Sequence, residues 1–288
     1  MSRTKTHVSG IIYLAITLSF LTFCTRSPAD FTNVHLFGTT VNSGIWPSGN
    51  LIESGGFLYG MTPYGGISNR GAIFRYQPAD GTVSNLVLFN PSAGQFPLGS
   101  LLLYSNKLFG MTARGGSFND GVIFETTTNG TSYTVRHHFN STLSDNGGIP
   151  WGGLIQYSNF LYGMTYNGGI SNNGVIFRID PSTWSYTNIH LFRSGRGDGR
   201  RPQGDLLIAG NRLYGLTTQG GTNDSGVVFA MNPDGSDYTN LHEFTSDVDG
   251  ANPSGGLILD GSWLYGMARG GPTKAGLIFA VPINGGSL

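Results

Sequence analysis

Three carboxylates, Glu53, Asp205 and Asp260, fall on runs that read as the innermost strands of a repeated unit. Two carboxyl groups about 5–10 Å apart are enough to cleave a glycosidic bond. Here they occupy different strand positions: Asp205 directly follows the glycine of a P-x-G triplet, whereas Glu53 and Asp260 lie further along. No pair is expected to meet, and all three read as turn or solvated carboxylates. His35, His137, His190 and His242 share one register, two residues before a phenylalanine. A metal needs ligands converging at about 2 Å, and these lie on separate outer strands, so they read as packing or rim residues. The fragments "DVDG" (Asp247–Gly250) and "DGSD" (Asp234–Asp237) lack a full set of oxygen ligands and read as turns. There is no Ser/His/Asp arrangement and no phosphate-binding loop, and the sole cysteine, Cys24, precedes the repeats. The reading therefore assigns no catalytic residue, no metal and no cofactor.

Aromatic side chains are more informative. Trp46, Phe96 and Trp151 flank the prolines of consecutive linkers, and Tyr64 and Tyr166 fall in loops expected on the same side. The equivalents in later repeats are polar: Arg201, Gln203, Asn252 and Gln219. Sugars are held by stacking on rings while polar groups fix their orientation. Trp46, Tyr64, Phe96, Trp151, Tyr166 and Arg201 are thus the candidate ligand-binding residues. The alternative is that the rings only cap cores beside the prolines.

The elements that must position these residues repeat. The phrase L-[Y/F]-G-[M/L]-[T/A] occurs at Leu58, Leu108, Leu161, Leu213 and Leu264, at offsets of 50, 53, 52 and 51 residues. Each copy is followed by a glycine doublet and then by a glycine that opens an apolar run, as in "GVIF" at Gly174. Upstream of each lies P-x-G, at Pro47, Pro97, Pro150, Pro202 and Pro253. Five aligned features recurring five times define a repeat architecture. Each repeat resolves into strands A to D: in the third, Gly153–Tyr157, Phe160–Tyr166, Gly174–Asp180 and Ser185–Phe192. A, B and C are apolar runs bounded by glycine, as strands buried on both faces should be, while D is more polar. Four-stranded units of this length stack as propeller blades. The expected fold is all-β: one five-bladed β-propeller of four-stranded antiparallel blades over residues 31–285. Its ring would be closed by the N-terminal strand Phe31–Phe37 pairing with Gly276–Pro282. Antiparallel order places the B–C and D–A loops on one face, around the mouth of the central axis, which is the candidate binding face.

The phrases "LYGMTxxGGxxxxGVIF" and "DGxxPxGxL", the latter as in "DGANPSGGLIL" (Asp249–Leu259), resemble those of the Gloeo-Verruco (GloVer) choice-of-anchor tandem repeat family. The resemblance runs from Phe31 to about Gly285. It implies an exported bacterial protein with interchangeable anchors and no assigned catalytic residues.

Composition narrows the partners. Charged residues are 11% of the 288, the formal net charge is zero, and glycine numbers 46. A neutral surface argues against nucleic acid and against electrostatic docking on anionic membranes. Residues 1–24 read as a signal peptide: Arg3 and Lys5 precede the apolar run Ile11–Phe23, which is shorter than the roughly 20 residues of a spanning helix. Cys24 directly follows in "LTFC", which resembles a lipobox apart from Phe23, so Cys24 is the expected lipidation site and the only membrane link. The expectation is an exported monomer, lipid-anchored to the cell envelope or secreted, that binds a glycan or protein. A carbohydrate-active propeller enzyme and a purely structural envelope protein are the alternatives.

Overall fold

The structure, a computed structural model, describes residues 32–38, 43–193 and 197–285. Phe31, Cys24 and the rest of the expected signal peptide lie outside these residues. Among the described residues all the strands belong to the unit His35–Leu288. The chain is all-β, and among the described residues no helix is long and apolar enough to cross a membrane.

Each repeat folds where the phrases fall. "FLYGMT" forms a strand twice, at Phe57–Thr62 and Phe160–Thr165. In the first sheet the strand order is Ser48–Ser54, Phe57–Thr62, Ala72–Gln77 and Thr82–Leu88, each antiparallel to the next. The second sheet (Leu102–Tyr104 to Tyr133–His138) and third (Ile155–Tyr157 to Tyr186–Leu191) repeat this meander. In the fourth, both Gly199–Pro202 and Leu207–Ala209 pair with the long strand Arg212–Gly220, followed by Val227–Met231 and Thr239–Glu243. The fifth holds three strands, Ala251–Asp260, Trp263–Arg269 and Leu277–Pro282. A register shift recurs between strands C and D of the first four sheets, at Ile73/Phe74, Val135/His137, Ile176/Phe177 and Val228/Phe229. Such a bulge twists the outer strand and lets it follow a curved sheet.

The core lies between sheets. One face of a sheet offers the tyrosine, methionine and central isoleucine of the phrases; the next sheet answers with its strand-A leucine and the leucine and phenylalanine of B and C. At the first interface Tyr59, Met61 and Ile73 thus pack with Leu101, Leu108 and Phe124. The second, third and fourth interfaces use the same positions. The D-strand phenylalanine seals each one edge-on: Phe89 on Phe124 at 5.5 Å, Phe139 on Phe177 at 5.6 Å, Phe192 on Phe229 at 5.9 Å and Phe244 on Phe279 at 5.1 Å between ring centroids.

The expected closure is absent from the described residues. Leu277–Pro282 pairs only with Trp263–Arg269, and residues 32–36 form no strand. Phe37 instead packs edge-on against Phe74 at 4.9 Å, the relation every D-strand phenylalanine has with the following sheet. Phe37 thus covers Phe74 without joining the fifth sheet, while Leu51 of the first sheet and Met267 and Ile278 of the fifth stay exposed.

Candidate functional site

Two backbone devices hold the loops at the mouth. The first explains two letters of the repeated phrase. The threonine closing strand B donates to a carbonyl two residues on, Thr112 to Arg114 at 2.9 Å, Thr165 to Asn167 at 2.8 Å and Thr217 to Gln219 at 2.8 Å. In the first four doublets the Asn or Asp four residues after the first glycine accepts that glycine's N–H, as Asn172 does from Gly168 at 2.8 Å and Asp224 from Gly220 at 2.8 Å. These residues have positive φ, 53° at Asn172 and 55° at Asp224, a conformation that Asn and Asp tolerate. The second device sits in the linkers. The residue before each proline is left-handed without being glycine: Trp46 (φ 58°), Phe96 (55°), Ile149 (55°), Arg201 (58°) and Asn252 (48°). Its N–H is tied to the preceding repeat, from Phe96 to Arg70 O at 3.1 Å, Ile149 to Asp120 O at 2.7 Å, Arg201 to Asn173 O at 2.8 Å and Asn252 to Ser225 O at 2.8 Å. Strain of this kind costs on the order of 1–3 kcal/mol per residue and persists only where the surroundings enforce it.

These linkers converge on a cavity of about 660 Å³, lined by residues of all five repeats. Glycine permits the convergence. A Cβ on Gly99 would press on Gly152, one on Gly152 on Gly204, and one on Gly204 on Gly255. Tyr64, Phe96 and Trp151 of the first three repeats line the cavity, together with Gln203, Asp205 and Ser254 of the last two. The other candidates stand beside the lining rings. Trp46, 71% exposed, meets Tyr64 edge-on at 5.2 Å, and Tyr64 meets Phe96 at 5.3 Å. Trp151, 38% exposed, stacks on Tyr166 at 5.3 Å with an interplanar angle of 22°. The Arg201 guanidinium lies 5.0 Å above the Tyr166 ring and bonds Asn167. The six residues thus form two groups, Trp46–Tyr64–Phe96 and Trp151–Tyr166–Arg201.

The carboxylates separate as their strand positions imply. Asp205 is at the mouth, accepting from Gly153 N–H at 2.5 Å and from the Ser100 hydroxyl at 3.4 Å. Glu53 is at the opposite end of its strand, where it accepts from Gly56 N–H at 2.9 Å, and Asp260 ends a hairpin opposite Trp263. His137, His190 and His242 lie on separate outer strands, where His137 and His190 each stack on a tyrosine of the following repeat. His137 stacks on Tyr186 at 4.3 Å and meets Asn146 at 3.2 Å; burial pushes its pKa down. His190 stacks on Tyr238 at 4.0 Å and meets Asp198 at 3.3 Å, and His242 meets Asp249 at 2.9 Å. Burial pushes the Tyr186 and Tyr238 hydroxyls up.

Sequence reasoning missed Asn50, Ser100 and Arg114 on the cavity wall. Asn50 and Ser100 directly follow the P-x-G glycine, as Asp205 does, and that shared position was the available signal.

The repeat phrases have a counterpart among known proteins. Residues 20–157 and 142–288 match the Gloeobacter/Verrucomicrobia repeat. The chain belongs to this repeat family. No curated protein matches the Gloeobacter/Verrucomicrobia repeat chain. Among solved structures it is similar to a chain in "Crystal structure of Nidogen/Laminin Complex", with 14% identity and a TM-score of 0.50, covering 76% of this chain and 71% of that one. It also matches a chain in "Crystal structure of the tricorn protease" at 14% identity and a TM-score of 0.46, covering 81% of this chain and 22% of that one. The first likeness is one of fold and agrees with a propeller-like arrangement of sheets.

Proposed function

We propose that this repeat protein is an exported binding module that holds its ligand at the axial mouth, with a glycan as the ligand class. The observation that carries the reading is that Tyr64, Phe96 and Trp151 line the same cavity as Gln203 and Asp205. The rings offer stacking surface, and the amide and carboxylate groups among them offer partners for hydroxyls. Each ring contributes on the order of 1 kcal/mol, so affinity comes from several acting together. In this reading residues 1–24 direct export and Cys24 carries a lipid that keeps the mouth at the cell envelope. Asp205 is the lone carboxylate of the three at the mouth, which favours binding over glycoside cleavage by a carboxyl pair.

The test is a glycan array followed by calorimetry on the best hit. Trp151→Ala should weaken binding about fivefold to tenfold, as loss of roughly 1–1.4 kcal/mol requires. Trp46→Ala, which removes the outer ring of the other group, should have a smaller effect. Full binding by both variants would remove the mouth as the site.

A further inference from the structure

The two sheets at the ends of the series each carry half of an interface that the molecule builds four times internally. In the fifth sheet, Met267 is 62% exposed and Ile278 is 77% exposed, whereas their equivalents Met61, Met111, Met164 and Leu216, and Ile73, Ile123, Ile176 and Val228, are all buried. In the first sheet, Leu51 is 57% exposed, whereas Leu101, Leu154, Leu206 and Leu257 are buried. The strand edge follows suit. Strand C pairs with a strand D in each of the first four sheets, but among the described residues Leu277–Pro282 has no partner on that side. At the axis the run of close glycine contacts stops at Gly255, which has nothing within 4 Å of its Cβ position, although Gly255 and Gly49 line the same cavity.

We propose that the gap between the fifth and first sheets is a docking slot for one further A–B–C sheet of this same repeat, presented by a second polypeptide. Continuity with the internal interfaces defines what fits. The incoming sheet must offer leucine, leucine and phenylalanine to Met267 and Ile278, and to Leu51 a tyrosine, a methionine or leucine, and an isoleucine or valine. Its outer position is already supplied, because Phe37 stands on Phe74 as Phe89 stands on Phe124. The slot therefore takes three strands rather than four. Direct closure of the fifth sheet on the first would demand a new angle at four interfaces whose side chains are close-packed, and such cores do not deform continuously. A second copy of the whole chain would have to bring its other four sheets along with the one that docks.

The probe is the A–B–C unit of the fourth repeat, residues 197–233, carried on a soluble fusion partner and titrated into the full chain in the presence of an apolar dye. The expected result is dye binding by the chain alone, a 1:1 complex on sedimentation, and displacement of the dye. Ile278→Asp combined with Met267→Asp should weaken the complex at least tenfold; both positions are exposed, so the variant retains the fold. Because the carried unit can fail to fold, the same residues are also joined covalently after Leu288, which should raise the thermal midpoint and abolish dye binding. The slot is refuted if neither form of the unit engages, if the double variant binds as well as the parent, or if the chain alone forms stable dimers. It is also refuted if Leu51→Cys and Ile278→Cys crosslink within one chain.

Discussion

At the scale of single residues, the repeated phrase is mostly hydrogen-bond bookkeeping. Thr165 and Asn172 satisfy loop backbone groups that the turn leaves open, so their recurrence reflects the geometry of a loop and carries no chemistry. The shared histidines act in the same way. His137 is held neutral by burial, stacked flat on Tyr186. Its native pKa lies below that of the unfolded chain, so below about pH 6.5 the unfolded chain binds a proton that the native state refuses. This contribution to stability is therefore complete above that pH and is lost as the pH falls towards the native pKa. His137→Phe keeps a ring against Tyr186 and removes the titration. Urea midpoints measured at pH 7.5 and 5.5 should fall less for His137→Phe than for the parent; an equal fall would show that His137 does not contribute.

At the scale of elements, a position in the repeat has no energetic meaning apart from its neighbour. Met164 and Met267 are the same letter of the same phrase, yet Met164 is buried against the fourth sheet and Met267 faces solvent. Truncating a buried methionine costs about 2–5 kcal/mol, whereas an exposed substitution usually stays within about 0.5 kcal/mol. Met164→Ala should therefore lower the urea midpoint markedly, and Met267→Ala should leave it nearly unchanged. Similar losses in both would mean that the fifth sheet is covered in solution.

At the scale of the whole molecule, each sheet contacts chiefly its sequence neighbours, so stability is close to a sum of sheet and interface contributions. Sheets two, three and four are packed on both faces, whereas the fifth is packed on one. Local opening should begin where a sheet lacks a neighbour. Amide hydrogen exchange should be faster along Leu277–Pro282 than along the equivalent strands Val175–Ile179 and Val227–Met231. Uniform protection across the three would contradict an open series.

The sequence alone determined the repeat, its strands and the side of the molecule on which the rings lie, because those depend on short-range periodicity and on glycine and proline at fixed spacings. "GVIF" forms a buried strand wherever it stands, and a linker proline always adjoins the mouth. It also separated Asp205 from Glu53 and Asp260, since strand position translates directly into depth along the axis. Only the tertiary structure decided the rest. That Trp46, Phe96 and Arg201 adopt the left-handed conformation follows from hydrogen bonds and packing supplied by other parts of the fold, which no local pattern announces. That residues 32–36 form no strand beside the fifth sheet depends on how successive interfaces set that sheet relative to the first. A repeat specifies how one sheet meets the next; how far a series of such steps turns depends on the packing at every interface together.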